Sequence, residues 1–393
     1  MANISVATFT ELNTACQTSN TITVTAPITV TSTITIPAGV TVSLTGAQLS
    51  TSTAALRHFQ LNGDLELNNI TLDGGTTGGG INVGNAGGTV SPTLTIDAGT
   101  IIQNCSATPS GAAIFSHTNS VVTMNAGTIQ NNVTTGSANG GAVFISGTTN
   151  SDPNTSFTMN DGLITNNSNE SAGAAAGIWI LKGVFNFNNG TISNNSSING
   201  TAAGINLDYA TCIMKDGVVS GNIGLDGGAV RLGLAPNTFN MSGGTIGPNN
   251  IANTNGGGIN VTNLNVSSTA NQIVNISGGS VVGNTANING GGIWLSSGTL
   301  SMTGGLIYNN IADADGGGIY ITSGATATIA GASAPTSIPQ AAPATGTPAI
   351  YNNTADGNGG GLYLTGNETT ATTTNVLISG NLATNGGGYY VAP

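Results

Sequence analysis

The stretch SMTGGLIYNNIADADGGGIYI, residues 301–321, contains one copy of a unit that recurs through most of the chain. Its beginning, MTGGLIYNN, matches MNAGTIQNN from residue 124, MNDGLITNN from 159, FNNGTISNN from 187 and MSGGTIGPNN from 241. Small residues and a short aliphatic segment such as GGGIYI or GGAVFIS follow in each copy. A unit of about 26–28 residues that repeats in this way indicates a solenoid of stacked rungs.

Within each unit, apolar and polar residues alternate in short bursts between Gly and Asn, which predicts short β-strands joined by tight turns. Crossovers between parallel strands are right-handed, so we predict an all-β, right-handed parallel β-helix. It forms one domain over residues 1–393. Residues 1–60 hold an N-terminal cap and the first rungs, and residues 61–393 hold the GGG/NN rungs, with a Pro/Ala-rich loop insertion at 323–349.

The N-terminal segment FTELNTAC differs from the repeats. Its apolar residues Phe9, Leu12 and Ala15 are spaced for one face of a short helix, with Thr10 as the predicted N-cap. We expect this helix to cover the open end of the core, because a solenoid end must be covered. At the other end, GGGYYVAP stops within the pattern, so we expect a longer natural chain or a partner there.

One asparagine recurs five residues after the turn glycine of each unit. We predict that these residues form a ladder in which each side-chain amide bonds the next rung, because buried turn backbone needs such partners. The predicted ladder consists of Asn104, Asn132, Asn167, Asn195, Asn222, Asn249, Asn284, Asn310, Asn353 and Asn381.

Charge is scarce, at 5% of residues against about 25% in a typical soluble domain. The net charge is −11 and only four residues are basic, which argues against nucleic acid and anionic membranes as partners. No apolar run approaches the roughly 20 residues of a membrane-spanning helix, so we expect no membrane insertion.

Three widely spaced cysteines imply neither a disulfide framework nor a zinc motif. Cys212 stands where neighbouring units have Phe185 and Phe239, so we interpret it as a buried, unreactive thiol. Asp313 and Asp315 occupy columns that other units fill with Asn or, at Asp356 and Asp226, with Asp. We therefore predict turn-forming residues that bond their own backbone, and no metal or cofactor site.

The strand after the glycines has aliphatic first and third residues, so its middle residue is predicted to lie on the outer side. Both tryptophans of the protein are in this outer column. Its aromatic members are Phe115, Phe144, Trp179, Trp294, Tyr320, Tyr363 and Tyr390, and Asn206, Arg231 and Asn260 separate them into patches at 115–179 and 294–390.

Two interpretations of this aromatic stripe remain open. Stacked rings stabilise a sheet, or lie beneath long loops, without binding anything. An exposed row of aromatics also marks an interaction surface that could bind a sugar chain or another protein.

The phrases IYNNIADADGGGIYI and ISGNLATNGGGYYV resemble the repeats of bacterial adhesin-like β-helix proteins. The GGAV segments at 140–143 and 227–230 are similar to a motif of chlamydial polymorphic outer-membrane protein repeats. This resemblance implies an extracellular or cell-surface location and an adhesive role.

Enzymes with this fold need facing carboxylates or a basic residue beside them. The four basic residues of this chain are scattered, and no nucleophile motif is present. We therefore predict a non-enzymatic adhesin or stalk segment without catalytic residues, whose partner is a carbohydrate, a host or cell-surface protein, or another copy of the chain. The alternatives are a self-assembling filament or coat subunit and a polysaccharide-active lyase or hydrolase.

Overall fold

The computed structural model describes residues 1–51, 53–107, 110–135, 140–170, 175–197, 199–264, 271–332, 348–367 and 369–392. The chain folds as a right-handed parallel β-helix, as predicted, and its strands form four parallel sheets that we name A to D. It divides into two compact units, Met1–Thr191 and Ile192–Pro393.

A complete rung visits the sheets in the order A, B, D, C before the chain returns to sheet A. One such rung consists of Val121–Met124, Thr128–Gln130, Val133–Thr134 and Val143–Ser146. Residues one rung apart pair in parallel register, so each sequence column becomes a file along the sheet. Among the described residues, the first strand of sheet D is Ser106–Ala107.

The strands of the first unit follow this scheme. Sheet A contains Ala2–Val6, Asn20–Val24, Thr41–Gly46, Asp64–Asn68, Thr93–Ile96, Val121–Met124, Ser156–Met159 and Val184–Phe187. Sheet B contains Ile28–Thr29, Leu49–Ser50, Thr71–Asp73, Ile101–Gln103, Thr128–Gln130 and Leu163–Thr165, and Thr191–Ser193 lies at the division between the units. Sheet C contains Ile34–Ile36, Phe59–Leu61, Ile81–Val83, Ile114–Ser116, Val143–Ser146 and Ile178–Leu181. Sheet D contains Ser106–Ala107, Val133–Thr134 and Ser168–Asn169.

The second unit repeats the arrangement. Sheet A contains Thr211–Met214, Asn237–Met241, Gln272–Ile276, Thr299–Met302, Thr326–Ala330 and Thr370–Thr374. Sheet B contains Val218–Ser220, Thr245–Ile246, Ser280–Val282, Leu306–Tyr308, Ala349–Tyr351 and Leu377–Ser379. Sheet C contains Ile205–Asp208, Val230–Leu232, Ile259–Val261, Ile293–Leu295, Ile319–Ile321, Leu362–Leu364 and Tyr389–Val391. Sheet D contains Ser196–Ser197, Ile223–Gly224, Ile251–Ala252, Thr285–Ala286, Ile311–Ala312 and Thr354–Ala355.

The N-terminal helix spans Phe9–Ala15 and buries Leu12 and Ala15. Its N-cap is Thr8, so the prediction of Thr10 was wrong. The Thr8 hydroxyl accepts a bond from the Glu11 amide at 3.3 Å, and the Glu11 carboxylate accepts one from the Thr8 amide at 3.1 Å. This reciprocal pair requires Thr and Glu three residues apart, a spacing that starts at Thr8. Bonds from the Ala7 amide and then from Thr8 lower the pKa of Glu11.

The core is filled by the inward residues of the sheets. In sheet A, the Phe157 and Phe185 rings are stacked at a centroid distance of 5.2 Å and are fully buried. Cys212 is fully buried in register with Phe239, and burial raises the pKa of its thiol. The prediction of a buried, unreactive thiol at Cys212 is therefore consistent with its surroundings.

The asparagine ladder lies at the turn between sheets B and D. In the first unit, Asn132 Nδ2 donates to Asn167 Oδ1 at 2.9 Å and to the Ile102 carbonyl of the preceding rung at 3.2 Å. Nδ2–Oδ1 bonds of 2.8–3.0 Å continue through the second unit. The members there are Asn195, Asn222, Asn250, Asn284, Asn310, Asn353 and Asn381.

Two predicted members, Asn104 and Asn249, are not in this ladder. Cys105 takes the position after Asn104, and its amide donates to Asn132 Oδ1 at 3.0 Å, whereas Asn250 replaces Asn249. Asn104 and Asn249 have φ angles of 54° and 65°, the left-handed turn conformation that Asn tolerates. Each of these two rungs has one additional residue between the turn glycine and the ladder position, Thr100 in one and Pro248 in the other. Counting five residues from the glycine therefore reaches the residue before the ladder position.

The predicted insertion 323–349 is shorter than expected, because Thr326–Ala330 is a sheet A strand and Ala349 begins a sheet B strand. Within the Thr326–Ala330 strand, the side chains of Ala327 and Ile329 are buried in the core. Residues 333–347 of the predicted loop lie outside the described residues.

Candidate ligand-binding face

The outer column of sheet C is the candidate binding face. Its residues alternate with fully buried aliphatic neighbours, as in Ile293 and Leu295 on either side of Trp294. Parallel pairing brings column members of successive rungs beside one another, for example Trp294, Tyr320 and Tyr363. Because side chains alternate along a strand, the aromatic residues of successive rungs lie in one file within each compact unit, as the sequence predicts.

The first aromatic segment consists of Phe115, Phe144 and Trp179. The ring centroids of Phe115 and Phe144 are 5.2 Å apart, and those of Phe144 and Trp179 are 4.9 Å apart. Phe144 and Trp179 are only 4% and 7% exposed, because they pack in a cluster with Ala175. Phe115 is half-buried against this cluster, so the segment offers a ligand little surface beyond that one ring.

The polar section is formed by Asn206, Arg231 and Asn260, all of them buried. Arg231 Nη1 donates to Asn206 Oδ1 at 3.1 Å, and Asn206 Nδ2 donates to Asp208 Oδ2 at 2.9 Å. Burial lowers the pKa of Arg231, although the nearby Asp208 and Asp226 carboxylates oppose this shift. The section is an internal polar network of the second unit, in the same sheet as the second aromatic segment.

The second aromatic segment consists of Trp294, Tyr320, Tyr363 and Tyr390. The rings of Tyr320 and Tyr363 are stacked at 4.8 Å, and those of Tyr363 and Tyr390 at 5.6 Å with planes only 3° apart. Trp294, Tyr320 and Tyr390 are half-buried, and Tyr363 is 7% exposed. Since neighbouring tyrosines cover each other's faces, the half-buried Tyr320 and Tyr390 remain for contact with a ligand. Tyr363, by contrast, is covered, and its hydroxyl is bonded to Thr365.

The Tyr320 and Tyr363 hydroxyls are uncharged at neutral pH, because the pKa of each is raised. Burial, with smaller effects from Tyr363 and Asp315, raises the pKa of Tyr320 to about 12. Burial and then Asp315 raise the pKa of Tyr363. A neutral phenol both donates and accepts hydrogen bonds, which suits a ligand rich in hydroxyl groups.

Asp313 and Asp315 lie in the turn before Tyr320. Asp315 Oδ1 accepts bonds from the amide and the side chain of Asn358 at 2.7 and 2.9 Å, whereas Asp313 is exposed. The sequence predicted a bond from this side chain to its own turn, but the observed bonds join successive rungs. Within the described part of the chain, no three His, Cys, Asp or Glu residues are close enough to hold a metal ion.

A second tyrosine pair lies in sheet B and was not predicted from the sequence. Tyr308 and Tyr351 stack at 4.9 Å with planes 3° apart and pack with Leu306 and Ala349. The recurrence of Tyr directly before the NN pair, in LIYNN and AIYNN, is the signal that could have identified this pair.

The two arginines are both engaged in internal bonds. Arg57 donates to the carbonyls of Ser110 and Gly111 at 2.7 and 2.6 Å, and burial lowers its pKa to about 10. Arg231 is held within the polar section. Neither guanidinium stands beside an exposed pair of carboxylates, the arrangement that would favour polysaccharide cleavage.

Comparison of the chain with protein-family models, curated proteins and solved structures finds no match. Among the helices in the described ranges, none has the length and apolarity to cross a membrane.

Proposed function

We propose that the protein is a non-enzymatic extracellular or cell-surface β-helix protein that binds an extended carbohydrate chain along the second aromatic segment. The observation that carries the proposal is the tyrosine file Tyr320, Tyr363 and Tyr390, with ring centroids 4.8 and 5.6 Å apart. A polymer lying along the file could present one sugar unit to each rung, because an extended sugar unit has a similar length.

Carbohydrate suits this surface better than the other ligand classes. Sugar hydroxyls hydrogen-bond with phenols, and the apolar C–H groups of the sugar ring pack against aromatic side chains; neither contact needs a counter-charge. The net charge of −11 and the four basic residues disfavour an anionic partner. The resemblance of its repeats to those of bacterial adhesins supports a surface location and an adhesive role.

The absence of catalysis is part of the proposal. Lysis or hydrolysis of a polysaccharide needs a solvent-accessible acid and base. Arg231 and Asp208, the basic and acidic groups of the outer column network, are 2% and 4% exposed. A ligand on the second segment therefore meets hydroxyls rather than an acid–base pair.

Self-association is a second candidate, supported by sheet D of the second unit. Its outer file follows the register Ile223, Ile251, Thr285, Ile311, Thr354 and Leu382. Ile223, Ile311 and Leu382 are 36%, 45% and 65% exposed. Exposed apolar rows of this kind mark contact surfaces, and electron microscopy of the purified protein would detect filaments of such copies.

The carbohydrate proposal is tested by calorimetry with soluble β-linked oligosaccharides. A variant with Tyr320→Phe, Tyr363→Phe and Tyr390→Phe retains the stacked rings and loses only the hydroxyls. The matched control changes Tyr308→Phe and Tyr351→Phe in sheet B. We expect the first variant to lose affinity and the control to retain it. Equal binding by both variants, or no binding of any oligosaccharide by the unmodified protein, would overturn the proposal.

A further inference from the structure

We infer that the carbohydrate is one that carries positively charged amino groups, and that Asp315 provides the negative charge that selects it. This inference rests on the proposed function, since it concerns the same second aromatic segment. The observation behind it is a second file that flanks the tyrosines, in which Asp315 is a carboxylate among the amides of Asn289, Asn358 and Asn385.

This flanking file lies at the turn between sheets D and C. The Asn289 side chain accepts a bond from the Asp315 amide at 3.1 Å, and Asp315 in turn accepts two bonds from Asn358. Asn385 continues the file with a bond to Asn358 Oδ1 at 2.8 Å. Asx side chains therefore form a ladder parallel to the aromatic file.

The turn glycines allow the turn that carries the flanking Asx file to lie close to the tyrosine of the same rung. A Cβ atom at Gly316 would lie 2.7 Å from the Tyr320 Cβ, and one at Gly359 would lie 2.6 Å from the Tyr363 Cβ. Only glycine permits this approach. Asp315 directly precedes Gly316. Its carboxylate is close enough to add to the larger effect of burial in raising the pKa of both Tyr320 and Tyr363.

The charge of Asp315 is not required by the ladder. Asn255, Asn289 and Asn358 occupy the same position in other rungs, and their amide oxygens accept the equivalent bonds. Both bonds that Asp315 accepts from Asn358 go to Oδ1. The Oδ2 atom has no hydrogen-bond partner within the described residues. A carboxylate oxygen is thus left beside the tyrosine file.

A carboxylate beside neutral hydroxyls favours a ligand that combines hydroxyl groups with a cation. Protonated amino sugars in a β-linked chain have both, whereas uronic acid polymers would be repelled. The Asp315 side chain is half-buried, so its attraction for an ammonium group is expected to be modest.

The experiment compares a β-1,4-linked glucosamine oligomer with its N-acetylated, neutral counterpart of equal length. We expect the unmodified protein to prefer the charged oligomer by about two- to fivefold. Asp315→Asn should abolish this preference, so that the charged and the neutral oligomer bind with similar affinity. The matched control is Asp313→Asn, which removes the same charge from an exposed site in the same turn and should retain the preference.

Retention of the preference by Asp315→Asn, or its loss in both variants, would overturn the inference. So would the absence of any preference in the unmodified protein. These results leave the proposed function intact if the neutral oligomer still binds in a manner that depends on the Tyr320 hydroxyl. If neither oligomer binds, the proposed function fails, and this inference fails with it.

Discussion

The two aromatic segments of sheet C occupy the same column of the repeat but have different surroundings. Phe144 and Trp179 are covered by an apolar cluster, whereas Tyr320 and Tyr390 remain half-buried and have hydroxyl groups. Position in the repeat places a ring on the outer side of the sheet. Its accessibility then depends on what packs over that side, so one sequence pattern gives a packing cluster in one unit and a candidate binding face in the other.

The largest expected effect separates the two tryptophans. Trp179→Ala should lower the free energy of unfolding of the protein by about 3–5 kcal/mol, because a buried ring is replaced by a cavity. Trp294→Ala removes a half-buried ring and should cost about half as much. Denaturant unfolding followed by circular dichroism measures both variants. Equal losses would show that the segments do not differ in packing.

The asparagine ladder at the turn between sheets B and D gives the next largest expected effect. Asn250→Gly should destabilise the protein by roughly 2–3 kcal/mol, since the buried Asn222 amide and side chain lose their acceptor. Asn249→Gly is the matched control and should stay within about 0.5 kcal/mol, because glycine is favourable at its positive φ. Thermal unfolding distinguishes the two variants. A larger loss of stability for Asn249→Gly would contradict the assignment of Asn250 to the ladder.

A smaller effect concerns binding. Tyr320→Phe should weaken oligosaccharide binding by about three- to tenfold, the loss expected for one hydrogen bond. Phe144→Leu in the first segment should lower the melting temperature and leave the affinity unchanged. Titration calorimetry with both variants checks this difference. Weaker binding by the Phe144 variant would show that both aromatic segments contribute to the binding face.

The smallest effect appears only at high pH. The pKa of Tyr320 is about 12 in the folded protein against an ordinary value of 10.0, so the unfolded chain loses this proton first. Its contribution to stability is complete below about pH 10 and is lost between about pH 10 and 12. Melting temperatures of the unmodified protein and Tyr320→Phe should therefore converge or cross over this range. Parallel curves would contradict the raised pKa.

Much of this architecture could be predicted because the repeat carries it. The alternation around Ile293 and Leu295 indicates which residues enter the core, and the NN pairs indicate a ladder. Counting residues from the turn glycine could not separate Asn249 from Asn250, because Pro248 adds one residue before them. The backbone conformation decides that Asn249 makes the turn and that Asn250 bonds the next rung.

The sequence by itself determined the β-helix, the outer position of the aromatic column and the Asx character of the turn that contains Asp315. Only the tertiary structure decided which rings are accessible and which oxygen of Asp315 lacks a partner among the described residues. Periodicity sets the side of the sheet on which a residue lies, because side chains alternate along a strand. Accessibility depends on rings and turns one rung away, and these become neighbours only when the chain is coiled.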